Sequence, residues 1–110
     1  MSGVVEEEVH LIKLLLPIYD NDKRAFPRAY FDQVRQDLTQ QFGGVTAFVR
    51  SPAVGFWKDD EQDITRDDVI MFEVMTDQLD QDWWKTYRQK LEITFRQEAI
   101  LIRAIETTKL

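Results

Sequence analysis

The chain has 110 residues, of which 44% are hydrophobic and 12% aromatic, a length and composition that predict one globular domain with its own core. Its 20 acidic and 14 basic residues give a formal net charge of -6, and Lys and Arg form no run that would follow a phosphate backbone, so we expect no nucleic-acid partner. Cysteine is absent, which excludes disulfides, thiolate nucleophiles, and cysteine-bound zinc or iron–sulfur centres.

The first segments of the chain predict a polar leader, a strand and a helix. We expect residues 1–8, MSGVVEEE, to be a flexible leader. Residues 9–16, VHLIKLLL, form a dense apolar run bounded by Pro17, which favours a buried central strand. After a connection rich in turn formers, residues 27–42 predict a helix with a proline in its first turn. This helix should stop at Gly43, because glycine accepts the left-handed conformation that ends helices.

The second half predicts the remaining elements. Residues 45–50 favour a second strand, and residues 51–66 form the longest irregular connection. A third strand is predicted over residues 68–76. A second helix should follow, with Asp80 as its N-cap. The fourth strand should begin at residue 98 or 99 and end near residue 107.

The two helices carry one repeated pattern. Residues 30–42 read YFDQVRQDLTQQF and residues 83–95 read WWKTYRQKLEITF. Both begin with two aromatic residues, continue with an apolar residue and Arg-Gln, and end on a phenylalanine. The apolar positions recur at i, i+3, i+7 and i+11, which places them in one stripe of a helix. The repeat has two explanations, common ancestry of the two halves or convergence of amphipathic helices that pack on similar sheets.

The order of elements is strand, helix, strand, and then the same again. Right-handed crossovers interleave two such βαβ units into an antiparallel four-stranded sheet of order 4-1-3-2, with both helices on one face. We therefore predict an α+β, ferredoxin-like βαββαβ sandwich that forms one domain over residues 9–110. This fold prediction does not depend on the origin of the repeat.

Alternation along the strands assigns their side chains to the two faces of the sheet. The residues predicted to meet the helices are apolar: Ile12, Leu14, Leu16, Val45, Ala47, Val49, Ile70, Phe72, Val74, Ile100, Ile102 and Ala104. The opposite face is also mostly apolar, which is typical of an interaction surface, and the chain has no further element to cover it. A second copy is the simplest cover, because a two-fold interface needs only one self-complementary surface. We predict a homodimer that packs sheet against sheet through Leu11, Leu15, Phe48, Val69, Met71, Met75, Leu101 and Ile105.

Charged residues interrupt this apolar face. Lys13 is expected between Arg103 and Glu73 in the sheet, and Arg50 lies on the same face. Charges buried there need partners, and Glu73 can pair with Lys13, or with Arg103 or Arg50 of a second copy. Two interpretations follow, an ion network that fixes the register of the interface or an anion-holding or acid–base cleft between the sheets.

The order of elements and the pattern of the sheet faces resemble those of uncharacterised small bacterial proteins of the ferredoxin-like dimeric α+β barrel superfamily. The resemblance covers nearly the whole chain and includes a Gly-x-Trp segment at residues 55–57 and an aromatic helix that ends FRQE at residues 95–98. That superfamily includes cofactor-independent monooxygenases, isomerases and haem-handling proteins. The resemblance implies a homodimer and admits an enzyme that acts on a small aromatic or quinone-like molecule with Lys13, Glu73 and Arg103 as polar groups.

His10 is the one histidine of the chain and a further candidate for that polar set. A single histidine at the start of a strand is more often a half-buried structural residue than a base or a metal ligand. The acidic stretches at residues 20–22 and 59–63 lack the spacing of a calcium-binding loop, and no glycine-rich loop cradles a phosphate. We therefore predict no metal and no cofactor.

Three aromatic residues are candidates for the rim of a pocket, together with His10. Phe56 and Trp57 lie in the long connection, where they either line the mouth of a pocket or cover the end of the core. Trp83 lies about 100° around its helix from Trp84, at the edge of the buried stripe, where its indole can pack on that connection or on a partner.

The sequence contains no recognisable catalytic set, so the predicted function is that of a small binding or interaction protein. The alternative is a cofactor-independent monooxygenase or isomerase. No apolar run approaches the roughly 20 residues that cross a bilayer, and three glutamates stand where a signal peptide needs basic residues. We therefore expect a cytoplasmic protein.

Overall fold

The computed structural model describes residues 7–50 and 69–110. In this part of the chain the elements are β1 (Glu7–Pro17), α1 (Arg28–Phe42), β2 (Thr46–Arg50), β3 (Val69–Thr76), α2 (Gln81–Thr94) and β4 (Leu101–Lys109). The strands form one antiparallel sheet in the order β2-β3-β1-β4, which is the predicted 4-1-3-2 order. The chain therefore has the ferredoxin-like βαββαβ fold, and the predicted fold class is confirmed.

β1 begins earlier than predicted. Glu7 pairs with Lys109 and Glu8 pairs with Thr108 across the β1–β4 ladder, so both glutamates belong to the strand. The prediction of a leader over residues 1–8 is wrong for these two positions, and residues 1–6 lie outside the described part of the chain. The reason is tertiary, since the polar end of β1 is held by main-chain bonds to the last residues of β4 rather than by an apolar pattern.

β4 begins at Leu101, later than the predicted residue 98 or 99. The end of α2 explains the delay. The N–H of Gln97 donates to the carbonyl oxygen of Glu92 at 2.9 Å, and the N–H of Ile100 donates to the Glu92 carboxylate at 3.3 Å. The segment that follows α2 is therefore turned back onto the helix before the strand starts.

The predicted end of α1 at Gly43 and the predicted N-cap of α2 are confirmed, whereas α1 begins one residue later than predicted. Gly43 has a φ of 84°, and its N–H donates to the carbonyl oxygen of Thr39 at 2.8 Å, which closes α1. The side chain of Asp80 accepts a hydrogen bond from the N–H of Trp83 at 3.1 Å, which caps α2. Pro27 occupies the capping position of α1, one residue before the helix begins.

The core lies between the sheet and the two helices. Its buried members are Ile12, Leu14, Leu16, Phe26, Phe31, Val34, Leu38, Phe72, Val74, Trp84, Tyr87, Leu91, Phe95 and Ile100, with Phe42, Val45, Ile70 and Ile102 among the partly buried residues packed on them. These residues confirm both helical stripes and most of the predicted helix-facing set. Ala47 and Ala104 are exposed instead. They lie on the two edge strands, where a methyl group is too short to reach the helices.

The repeated segments pack on each other reciprocally. Each copy's opening aromatic pair contacts the closing phenylalanine of the other copy, with ring centroids 5.1 to 5.7 Å apart: Trp83 and Trp84 against Phe42, and Tyr30 and Phe31 against Phe95. Asp37 and Lys90, which occupy the same position of the repeat, form an ion pair at 3.7 Å. Gly43 and Arg96, each the first residue after its copy, both have positive φ. The helix layer therefore has an approximate two-fold symmetry.

Asp37 also links the two helices by hydrogen bonds. Its carboxylate accepts from the Tyr87 hydroxyl at 3.0 Å and from the Gln33 side-chain amide at 2.9 Å. Burial, followed by the neighbouring charge and hydrogen bond of Asp37, raises the pKa of Tyr87 far above its ordinary value. Tyr87 is therefore a neutral hydrogen-bond donor at physiological pH.

A small turn after β1 is tied to the end of α2. The Asp20 carboxylate accepts from the N–H groups of Asp22 and Arg24 at 2.8 and 2.9 Å, and it contacts the Arg96 guanidinium at 3.3 Å. The backbone N–H of Arg24, then that of Asp22 and the Arg96 charge, lower the pKa of Asp20 below its ordinary value of 3.8, outweighing the partial burial that raises it. The ionised form of Asp20 therefore stabilises the folded state.

We expect Leu91→Ala to lower the free energy of unfolding by about 2 to 5 kcal/mol, because Leu91 is almost fully buried in the core. Ile93 is a matched control on the same helix, since its side chain is 78% exposed. Ile93→Ala should change stability by less than about 0.5 kcal/mol. Urea denaturation of both variants measures the difference, and equal effects would contradict the assignment of the buried face of α2.

We expect Asp20→Asn to reduce stability at pH 7 and to reduce its dependence on pH. Because folding lowers the pKa of Asp20, its contribution is present above the ordinary value of 3.8 and is lost as the pH falls through the lowered value. Urea midpoints of the natural protein and the variant should therefore converge between pH 7 and low pH. Asp22→Asn in the same turn is the control, and a constant difference at all pH values would contradict the prediction.

Candidate functional site

The candidate site is the sheet face opposite α1 and α2. Ile12, Leu14 and Leu16 are 0 to 1% exposed in the core, so the residues that alternate with them in β1 point away from the helices. The register of the sheet then identifies the residues of the other three strands that lie on this same surface. We call it the open face, and it consists of Leu11, Lys13, Leu15, Thr46, Phe48, Val69, Met71, Glu73, Met75, Leu101, Arg103 and Ile105.

The register arranges the open face in rows across the strands. The central row is Arg103, Lys13, Glu73 and Thr46, from β4 to β2. The row on one side of it is Leu101, Leu15, Met71 and Phe48, and the row on the other side is Ile105, Leu11 and Met75. One polar row is therefore enclosed by two apolar rows, as the order of the strands predicts.

Half of the predicted interface residues are exposed. Phe48 is 43% exposed, Met75 49%, Leu101 53% and Ile105 45%. Leu11, Leu15 and Val69 are half-buried. The exposed apolar residues lie on β2, β3 and β4, so the apolar surface extends across the sheet rather than occurring as single scattered side chains.

Two residues of this side of the sheet are buried. Met71 is 7% exposed and Val9 is 2% exposed, yet neither belongs to the core under the helices. Val9 has the same alternation as Leu11 and pairs with Thr107. It was not among the predicted interface residues, although the two-residue period of β1 was the signal that assigns it to this side.

Of the pairings open to Glu73, the one with Lys13 is formed within the subunit. The Lys13 Nζ lies 3.7 Å from a Glu73 carboxylate oxygen, and the two side chains are 27% and 20% exposed. Arg103 is the neighbour of Lys13 on the other side and is exposed. The main chain of Arg50 pairs with Val69 at the end of β3, and the side chain of Arg50 lies outside the described part of the structure.

His10 lies away from this polar row. It shares the alternation of Ile12, so its side chain points to the helix side of the sheet, where its Nε2 lies 3.9 Å from a carboxylate oxygen of Glu106. Its Nδ1, like the Nε1 of Trp84, is buried without a hydrogen-bond partner among the described protein atoms. The structure therefore does not bring His10 together with Lys13 in one polar site.

The candidate pocket-rim aromatics are only partly described. Trp83 is half-buried in the helix layer, where its ring stacks on Tyr87 at 4.8 Å and meets Phe42 at 5.1 Å. Phe56 and Trp57 lie outside the described residues. Trp83 thus packs on α1, the helix of the other repeat. This contact was not predicted from the sequence.

Neither a metal centre nor a membrane-spanning helix occurs in the described ranges. Residues 7–50 and 69–110 contain no group of three or more His, Cys, Asp or Glu side chains that could hold a metal ion. None of the helices in these ranges is both long enough and apolar enough to cross a membrane.

The chain was compared with known proteins and structures. No protein-family model matches it, and no curated protein matches its sequence. Among solved structures it is similar to a phage SAM lyase in complex with S-methyl-5'-thioadenosine, with a TM-score of 0.58 and 7% sequence identity. The alignment covers 99% of this chain and 95% of the lyase chain. At this identity the similarity shows the ferredoxin-like fold alone.

The ion pair of the central row should contribute measurably to stability. We expect a double-mutant cycle of Lys13→Met and Glu73→Gln to give a coupling energy of about 1 kcal/mol, because both side chains are largely removed from water. The exposed pair Asp32 and Arg35 on α1 is the control and should give about 0.3 to 0.5 kcal/mol. Urea denaturation at one protein concentration measures both, and equal couplings would contradict the partly buried ion pair.

Proposed function

We propose that this chain is a small cytoplasmic homodimeric binding or interaction protein whose two subunits associate through the open face. The observation that carries the proposal is the exposure of four large apolar side chains on one face of the sheet, namely Phe48, Met75, Leu101 and Ile105. Such a face is costly to leave in water and is typical of surfaces that bind another protein.

The size of the open face supports a subunit interface. β1 pairs over eight positions with β3 and over nine with β4. At about 3.4 Å per residue and about 4.8 Å between strands, the four strands cover a flat area of roughly 500 Å². Projecting side chains make the accessible surface larger than this area. The flat area alone is more than half of the about 800 Å² that each partner contributes to a standard interface.

The charges of the central row support a second copy as the partner. A two-fold axis that runs along the strands, between β1 and β3, places β1 of one subunit over β3 of the other. Lys13 then faces Glu73 of the partner subunit, and Glu73 faces the partner's Lys13, so charges of opposite sign meet across the interface. The same axis lays apolar rows on apolar rows, and packing of two sheets with nearly aligned strands is a common arrangement.

The enzyme alternative has less support from the geometry. Its polar groups are Lys13, Glu73 and Arg103, with His10 as a further candidate. His10 is separated from the other three, because it lies on the helix side of the sheet next to Glu106. Glu73 is engaged with Lys13 in an ion pair. A monooxygenase or isomerase would need one of these groups positioned to exchange a proton with a bound molecule.

We expect the natural protein to have a solution mass near twice the 13.1 kDa of the chain, and Leu101→Glu to shift it towards the monomer. Leu101 is 53% exposed, so the substitution should leave the helical content unchanged. Each dimer would place two added carboxylates in apolar rows of the interface, which should raise the dissociation constant at least about tenfold. Sedimentation equilibrium and circular dichroism measure the two properties.

Ile93→Glu is the matched control, because Ile93 is an exposed apolar residue on α2, away from the sheet. Ile93→Glu should remain a dimer. The proposal is contradicted if the natural protein is monomeric at all concentrations, or if Leu101→Glu dimerises as tightly as Ile93→Glu. Met71 is less suitable for this test, because it is buried and its substitution by a charged residue would destabilise the subunit itself.

A further inference from the structure

Two cations stand side by side on the open face. Lys13 and Arg103 are direct partners in the β1–β4 ladder, where Cβ atoms of opposed residues are about 4.5 to 5.5 Å apart. Like charges in directly opposite positions destabilise a sheet. Glu73 neutralises Lys13 from the β3 side at 3.7 Å, the side away from Arg103. None of the ion pairs formed among the described residues includes Arg103.

The open face differs in charge from the rest of the protein. The chain carries a formal net charge of -6, yet the central row of the open face has two cations, Lys13 and Arg103, against the single carboxylate of Glu73. This row, with a sum of +1, lies between two apolar rows. A positive potential at a weakly hydrated surface attracts anions, and an anion between Lys13 and Arg103 would relieve their mutual repulsion.

We propose that Lys13 and Arg103 form an anion-binding site for the carboxylate of a small organic acid with an apolar body. A guanidinium presents two parallel N–H donors that match the two oxygens of a carboxylate, and the ammonium of Lys13 adds a second charge-assisted contact. The proposal deepens the proposed function and rests on it for the character of the face, because it names a ligand for the surface through which the subunits associate.

The apolar rows on either side of Lys13 and Arg103 favour a ligand whose carboxylate is attached to an apolar group. Leu15 and Leu101 lie two residues along the strands from the cations on one side, and Leu11 and Ile105 lie two residues along on the other. Two residues of a strand span about 6.8 Å, so one aromatic ring or a short hydrocarbon chain attached to the carboxylate covers one apolar row. A carboxylate without an apolar group would make no contact with these apolar side chains.

The proposed dimer leaves the Arg103 side of this site accessible. With the two-fold axis between β1 and β3, the partner's Glu73 faces Lys13, whereas Arg103 lies over β2 of the partner at the edge of the sheet pair. β4 is the last strand of the described sheet, so a small molecule can reach Arg103 from that edge. The ligand would therefore bind at the margin of the interface, in contact with one apolar row.

The test titrates the full chain with 3-phenylpropionate and, separately, with its neutral amide, and follows the backbone amide signals by NMR. We expect saturable shifts on β1 and β4, with the acid bound at least about tenfold more tightly than the amide, because the amide retains the apolar body and lacks the charge. Equal affinities for the acid and the amide would overturn the anion site.

Variants assign the binding to Arg103. Arg103→Met should weaken binding of the acid at least about tenfold, and Arg103→Lys should have an intermediate effect because it keeps the charge and loses the paired donors. Arg35→Met removes the same charge from the surface of α1 and should leave binding unchanged. An unchanged affinity of Arg103→Met, or an equal loss in Arg35→Met, would overturn the proposal.

Sedimentation of the same samples separates this inference from the proposed dimer. If the protein is a dimer and binds the acid no more tightly than the amide, the anion site alone is overturned. A monomer that prefers the acid, with the preference lost in Arg103→Met, overturns the dimer and supports the anion site.

Discussion

The structure depends on the pairing of β1 with a neighbour on each side. β3 and β4 hold this central strand in a register that sends Ile12, Leu14 and Leu16 into the core and Lys13 to the other face. A slip of one residue would exchange the two faces and expose the core residues. Because both faces of β1 are rich in apolar residues, one strand supplies the foundation of the subunit core and the middle of the surface proposed to bind a second subunit.

The helix layer is held by contacts that the repeat makes twice. The closing phenylalanine of each copy packs on the opening aromatic pair of the other, and the Asp37 carboxylate lies between the two helices, where Tyr87 and Lys90 contact it. This reciprocity accounts for the shared residue types of the two copies. In each copy the aromatic pair packs on the other copy's phenylalanine, and its own phenylalanine packs on the other copy's aromatic pair. The layer is complete within one subunit, so it does not require the open face or any partner for its packing.

A fold does not determine a function, which depends on the side chains that the fold displays. The similarity to a lyase at 7% identity joins two chains whose backbones correspond and whose residues do not. Here the open face combines exposed apolar rows with a cationic pair on an acidic protein. The exposed apolar rows are the basis of the proposed association with a second sheet. Arg103, which forms no ion pair among the described residues, is the basis of the proposed carboxylate site. Both proposals use the same surface, and the carboxylate site lies at its β4 edge.

The sequence by itself determined the features that local periodicity controls. The period of two assigned the faces of Leu11, Lys13 and Phe72, the period of 3.6 assigned both helical stripes, and the chemistry of Gly43 and Asp80 set two helix ends. These signals act over a few residues and need no distant partner. They were sufficient for the order of the elements and most of the open face, and the right-handed crossover rule then gave the order of the strands.

Tertiary structure alone decided what depends on residues far apart in the chain. It recruited Glu8 into β1 through β4, and it brought the Nζ of Lys13 within 3.7 Å of a Glu73 carboxylate oxygen. It also brought Asp37 to Tyr87 across 50 residues. No local pattern encodes such contacts, because each is formed only after sheet register and helix packing have brought two separate segments together.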